Sequence, residues 1–254
     1  EGKANLLFEV NESNPIYVNN ININGNTRTL DYVIRRELEI TEGDAFLTSE
    51  INKISKKIQS LRFFEEVNVE KKFINEEYVD IDINVKENQT GTFTAGASFG
   101  TLDGVTLVTG LNESNIAGTG RSLEFMLNNS ENNNEYIFNT TDKFFLNRDM
   151  DLSFGLSYKE RDYSKSSSYQ LDRYQASTGL SYQFQDNLYH SVKLFYELDD
   201  IFVTDASTAS STIVDVQGSS AKFILENGIT YTTLNSYFFP RNGNYLKFSN
   251  TIET

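Results

Sequence analysis

From residue 92 to the end, the chain repeats one pattern: short stretches in which every second residue is apolar and the residues between are Ser, Thr, Gly, Gln, Lys or Glu. It reads Phe93/Ala95/Ala97/Phe99, Val105/Leu107/Leu111, Leu123/Phe125/Leu127, Tyr136/Phe138 running on to Phe144/Leu146, and Leu152/Phe154/Leu156/Tyr158. It continues through residues 174–184, Val192/Leu194/Tyr196/Leu198, Ala221/Phe223/Leu225/Ile229/Tyr231 and Leu246/Phe248/Ile252. A period of two puts all the apolar side chains of a strand on one face and leaves the other face wet. No apolar run approaches the ~20 residues of a membrane helix, so helical membrane proteins are excluded. The open question is what covers the apolar face: a second sheet, as in a soluble sandwich, or lipid, as in a membrane barrel.

Strand length favours lipid. Residues 174–184 alternate without a break, and a tilted strand needs about 9–11 residues to cross a bilayer. Soluble strands are usually nearer 5–6. Short turn-like links (Ala117-Gly118-Thr119-Gly120, Asn147-Arg148-Asp149, Gln185-Asp186-Asn187, Pro240-Arg241-Asn242-Gly243) alternate with longer polar segments at 128–134, 160–168 and 199–219, although Thr101-Leu102-Asp103-Gly104 is short too. Short turns at one rim and long loops at the other suit an outer-membrane barrel. Tyr169, Tyr189, Phe202, Tyr237 and Phe238, near strand ends, are the expected aromatic girdles, and Arg121 and Lys159 the expected lumen lining. The chain ends at Thr254 inside an alternation. Eight or nine antiparallel strands ending there read as the first part of a larger barrel, because such barrels normally close with an even number.

The first 88 residues obey a different grammar. They hold 11 Lys and Arg against 17 Asp and Glu, net −6, whereas the remaining 166 hold 11 against 19, net −8, so charge density roughly halves. Residues 16–23 alternate, with a slip at Asn19-Asn20, and Gly25-Asn26 supplies turn chemistry. After Thr29, the spacing of Leu30, Val33, Ile34 and Leu38 predicts a helix. Ile51, Ile54, Ile58 and Leu61 predict a second, with Ser49 as its expected cap. Strands follow from Val67/Val69 and across residues 78–85. The result is a β-α-α-β-β unit over residues 15–88, preceded by a tail at 1–14 and followed by the barrel at 89–254.

At this point a resemblance becomes specific. Gly25-Asn26-Thr27-Arg28-Thr29, Ile34-Arg35-Arg36-Glu37, Glu42-Gly43-Asp44 and Leu61-Arg62-Phe63-Phe64 resemble the membrane-proximal POTRA domain of the BamA family of outer-membrane assembly proteins. Val85-Lys86-Glu87 before Thr90-Gly91 and Gly96 is similar to the family's entry into the first barrel strand. The segment 115–120 resembles its first periplasmic turn, and 230–243 the turn before the ninth strand, with Asn235 where the family often has Asp. The resemblance implies an α+β POTRA domain (β-α-α-β-β) followed by an antiparallel transmembrane β-barrel, about nine of an expected sixteen strands being present. The tail at 1–14 would belong to a preceding POTRA domain. It implies residence in the bacterial outer membrane with the POTRA part in the periplasm. It also implies a central role in folding and inserting β-barrel proteins through a lateral gate, without cofactors. The first strand, Thr92, Phe93, Thr94, Ala95, Gly96, Ala97, Ser98, Phe99 and Gly100, would form one side of that gate. Arg35 and Glu42 would contact a periplasmic lipoprotein subunit. Partners are then unfolded barrel clients, such lipoproteins and outer-membrane lipids. A TamA-type or two-partner-secretion translocator shares the architecture, and a passive porin is the third reading, which the POTRA-like domain disfavours.

Enzymatic chemistry has little to stand on. There is no Cys and one His, so thiolate sites and His-based triads or metal sites lack their residues. His190, in phase with Val192 and Leu194, reads as a rim side chain. Asp80/Asp82 fall on the wet side of a strand and Asp199-Asp200 in a polar loop, not in a calcium site. Gly118-Thr119-Gly120 lacks the following Lys-Ser/Thr of a phosphate loop. A net charge of −14 argues against nucleic acid as a main partner.

Overall fold

The computed structural model describes residues 14–101, 103–235 and 240–254. The chain divides into two compact units, Glu1–Asn88 and Gln89–Thr254. Residues 1–13 of the expected tail, and Tyr237 and Phe238 of the expected girdle, lie outside the described residues.

The first unit contains β1 (Tyr17–Asn24), α1 (Asp31–Arg35), α2 (Thr48–Ser60), β2 (Phe64–Phe73) and β3 (Tyr78–Glu87). The sheet order is β1-β3-β2, with β1 parallel and β2 antiparallel to the central β3. The slip at Asn19-Asn20 is a bulge: register shifts between Val18 and Ile21, and Asp80 accepts from the Asn19 side chain at 2.7 Å and the Asn20 amide at 3.1 Å. Asn22 likewise donates to Asp82 at 2.8 Å, so both aspartates belong to a polar ladder on the solvated face. The other face packs Val79, Ile81, Ile83 and Val85 of β3 against Val33 and Ile34 of α1 and Ile54 and Ile58 of α2. The first helix is shorter than its pattern. Past Arg35 the amides of Glu37 and Leu38 bond three residues back rather than four, so the turn tightens and ends, while Leu38 still packs on the core. In α2 the cap position is Leu47, without a side-chain bond, and Ser49 lies inside the helix.

The second unit is one nine-stranded antiparallel sheet in which every strand pairs only with its neighbours in sequence. Its strands are β4 (Gly91–Gly100), β5 (Gly104–Glu113), β6 (Arg121–Asn129), β7 (Asn133–Asp142), β8 (Met150–Asp162), β9 (Tyr169–Gln185), β10 (Leu188–Val203), β11 (Gly218–Thr232) and β12 (Tyr245–Glu253). Two short helices, α3 (Ser164–Ser167) and α4 (Ser211–Asp215), sit in the β8–β9 and β10–β11 loops. Register carries one apolar row across the sheet: Phe93–Leu111–Phe125–Phe138–Leu156–Ala176–Tyr196–Phe223.

Four expectations are corrected here. Residues 144–146 do not continue β7. They enter a 3-10 turn in which Leu146 and Asn147 both take φ 56°. Asp199 and Asp200 lie inside β10, because strands β9 and β10 run through polar residues well beyond their apolar alternation. For the same reason the expected loop at 128–134 shrinks to 130–132, and loop length does not cleanly distinguish the two rims. The aromatic ladder of the apolar face is Tyr136–Tyr158–Tyr174, with ring centroids 5.8 and 4.8 Å apart, whereas Tyr169 and Tyr189 alternate onto the polar face.

Candidate functional site

The two units distribute their apolar side chains in opposite ways. Among the described residues, every buried hydrophobic side chain belongs to the first unit, from Val18 to Val85. In the second, the apolar row stands open: Phe93 is 70 % exposed, Leu156 59 % and Phe248 69 %. A face of this size cannot remain in water, since large exposed apolar patches mark contact with a partner or a membrane. Among the described residues, this unit contains no second sheet to cover it. Along β9 the outward tyrosines Tyr174 and Tyr182 are eight residues apart, about 27 Å of strand and about 20 Å of depth at the usual tilt. That is the scale of a hydrocarbon core.

The opposite face carries ions. Arg173 bonds Asp199 at 2.7 Å and lies 3.3 Å from Glu197, and Lys222 reaches Glu197 at 2.9 Å and Glu253 at 3.2 Å. Lys159 pairs with Glu135 at 3.5 Å on this face, as a lumen residue would. Arg121 does not: it is in phase with Leu123 and stands on the apolar face, paired with Asp142 at 2.9 Å. The alternation itself carries that signal. His190 also points to the apolar face, with both ring nitrogens engaged by Tyr182 (3.1 Å) and Asn227 (2.8 Å).

β4 forms one edge of this sheet. It pairs with β5 at every position from Gly91↔Glu113 to Gly100↔Gly104 and has no strand on its other side among the described residues. All ten of its residues are exposed. A Cβ built at Gly96 or Gly100 would meet nothing within 4 Å, so these glycines are not relieving a clash. Just before the strand, the Ser114 amide and hydroxyl both donate to the Thr90 carbonyl, at 3.1 and 3.0 Å, which adds to the ladder with β5. Asn115, buried, closes the adjoining turn by accepting from the Gly120 amide at 2.7 Å.

In the first unit, Arg35 and Glu42 meet each other. Arg35 Nη1 donates to Glu42 at 2.8 Å, its Nε to Asp31 at 3.0 Å, and its Nη2 to the Ile21 carbonyl at 3.2 Å. Asp31 foremost, opposed by partial burial and helped by Glu42, raises the Arg35 pKa. Glu42 is held below the usual carboxylate range first by its own backbone amide, then by Arg35, against partial desolvation. The pair therefore ties α1 to β1 and to the 41–44 turn, a role that spacing alone did not reveal.

A family model described as the Omp85 superfamily domain matches residues 115–254, and a POTRA model, described as a surface antigen variable number repeat, matches 16–88. The chain belongs to the Omp85 superfamily. Among curated proteins this Omp85 chain is similar to the outer membrane protein assembly factor BamA of Neorickettsia risticii, 26% identical over 249 residues, 98% of this chain and 34% of that protein. It thus spans about a third of that relative's length. Among solved structures it resembles BamA from Haemophilus ducreyi lacking POTRA domains 1–3, with TM-score 0.71, 22% identity, and coverage of 94% of this chain and 48% of that one. CdiB from Escherichia coli shares the fold at TM-score 0.62 and 12% identity, covering 94% and 45%. The Omp85 sheet is accordingly part of an outer-membrane barrel, and the POTRA domain is periplasmic. Because β4 follows that domain directly, the rim at which it begins is the periplasmic one.

Proposed function

We propose that the protein containing this chain folds and inserts outer-membrane β-barrel proteins, with β4 as one side of a lateral gate that templates client strands. What supports the reading is the first barrel strand itself, lightly packed at Ala95, Gly96 and Ala97, in a chain similar to BamA proteins. In hydrocarbon, an unpaired backbone N–H or C=O costs several kcal/mol, so an entering strand needs a partner at once. When the seam beside β4 opens, this strand, with little side-chain bulk at Ala95, Gly96 and Ala97, presents a row of such groups. No covalent step or cofactor is needed, since pairing and lipid transfer supply the driving force. The likeness to BamA proteins supports this reading more than a two-partner-secretion role, for which only the fold-level likeness to CdiB speaks.

The deciding experiment places a photo-crosslinking residue at Thr94 of the full-length protein during client synthesis. Client strands captured there, and not from Thr178 in mid-sheet, support the gate; equal capture at both positions refutes it. A disulfide locking β4 to the strand it meets in the intact barrel should abolish insertion and recover on reduction.

Arg35 and Glu42 serve in this reading as a contact for a periplasmic lipoprotein subunit as well as an internal tie. Glu42→Arg alone breaks both, so the discriminating variant is Glu42→Gln. Its amide oxygen can still accept from Arg35, while Asp31 and the Ile21 carbonyl keep their bonds and the surface loses its charge. Loss of lipoprotein co-purification with retained domain stability supports the contact, and normal co-purification assigns the pair to folding only.

A further inference from the structure

Of the seven Lys and Arg side chains within β4–β12, six alternate onto the polar face, in phase with Lys159, Arg173 and Lys222. Arg121 alone stands on the apolar one. It opens β6 at the periplasmic rim, in register with Asp142 at the end of β7 and, through it, with Leu152 at the start of β8. Its side chain is 57% exposed, and among the described residues only its Nε is engaged, by Asp142. A guanidinium has five donors, so the Nη edge is left to bind something else. Beside it the apolar face sinks into a groove of about 510 Å³, walled by Phe144, Leu146, Leu152 and Phe154, with Thr140 and Asp142 as polar members.

A lone arginine is costly at mid-membrane but nearly neutral at the interface, where it meets headgroups. The polarity here is ordered: cation at the rim, apolar slot running from it toward the bilayer centre. That order matches one ligand class. We infer that this groove holds one glycerophospholipid of the periplasmic leaflet. Its phosphate lies on the Nη edge of Arg121, in the bidentate manner that guanidinium favours, and an acyl chain lies along Leu152 and Phe154. Asp142 orients the guanidinium through Nε and occupies only that side of the fork. The site depends on the barrel lying in the membrane and is independent of the gate.

The test uses full-length protein in detergent, with phosphatidylglycerol as the probe and native mass spectrometry as the readout. Diacylglycerol of the same chains and glycerol 3-phosphate serve as the chain-only and headgroup-only controls. One phosphatidylglycerol should be retained per barrel, with each control bound at least about tenfold more weakly, the scale of losing a charge-assisted hydrogen bond. Arg121→Gln should weaken phosphatidylglycerol about tenfold, to the level of diacylglycerol. Thr140→Trp, which fills the groove and leaves the arginine, should displace the lipid, while Lys159→Gln on the polar face should change nothing. Unaltered retention in Arg121→Gln or in Thr140→Trp overturns the site. Should Arg121→Gln lose its heat-dependent shift in electrophoretic mobility and so prove unfolded, Thr140→Trp decides alone.

Discussion

Glu87 ends β3 one residue before the boundary between the units, and its carboxylate accepts from the Thr27 hydroxyl (3.1 Å) and the amides of Arg28 (2.9 Å) and Thr29. Burial is the largest single influence and raises its pKa, but the bonds from Thr29, Arg28 and Thr27 together outweigh it and hold Glu87 below the usual range. A depressed folded-state pKa means the stabilisation is complete above the unfolded value, near 4.3, and is lost as pH falls through the lower folded one. The first calorimetric transition of the detergent-solubilised chain should therefore drop below about pH 4. Glu87→Gln should flatten that dependence and lower the transition at neutral pH. The same corner constrains Gly25, at φ 88°, where a Cβ would collide with the Val85 carbonyl oxygen. Gly25→Ala should cost the first unit about 3 kcal/mol in a urea titration, because the clash is with backbone that cannot rotate away.

Elements were legible wherever one local rule governed them. The β-α-α-β-β order and the nine alternating stretches follow from periodicity, and the slip at Asn19-Asn20 announced the bulge. What was not legible depended on conformations or partners distant in sequence. Leu146 gives no local sign that it will adopt a positive φ, so Phe144 and Leu146 read as more strand. The length of β9 and β10 comes from pairing with each other through polar residues, as in Asp199↔Arg173, where alternation has faded. Arg121 departs from expectation for the opposite reason: its parity with Leu123 is visible in the sequence, but its charge points to the lumen. The pairing of Arg35 with Glu42 required the turn that brings them together. At the level of β4, Gly96→Val should leave the barrel folded and heat-modifiable, since no atom of this part of the barrel lies within 4 Å of the new Cβ. A fall in client insertion by that variant would then report on the edge rather than on folding.

The whole molecule solves two burial problems with two solvents. The first unit hides its aliphatic side chains internally, and truncating fully buried Ile58 to Ala should cost it about 3 kcal/mol. The second has no such interior among its described residues, so its stability depends on what bathes the outer face. The central claim is that this solvent is lipid. These 254 residues contain no cysteine, so single spin labels can be placed at successive positions 174–183 of β9, in full-length protein cleared of any cysteine elsewhere and reconstituted in vesicles, and their collision rates measured with oxygen and with a water-soluble nickel chelate. A lipid-bathed face gives a period of two, with oxygen-accessible labels at Tyr174, Ala176, Thr178, Leu180 and Tyr182, and chelate-accessible labels at Gln175, Ser177, Gly179, Ser181 and Gln183. Chelate access at every position, or the opposite phase, would contradict it.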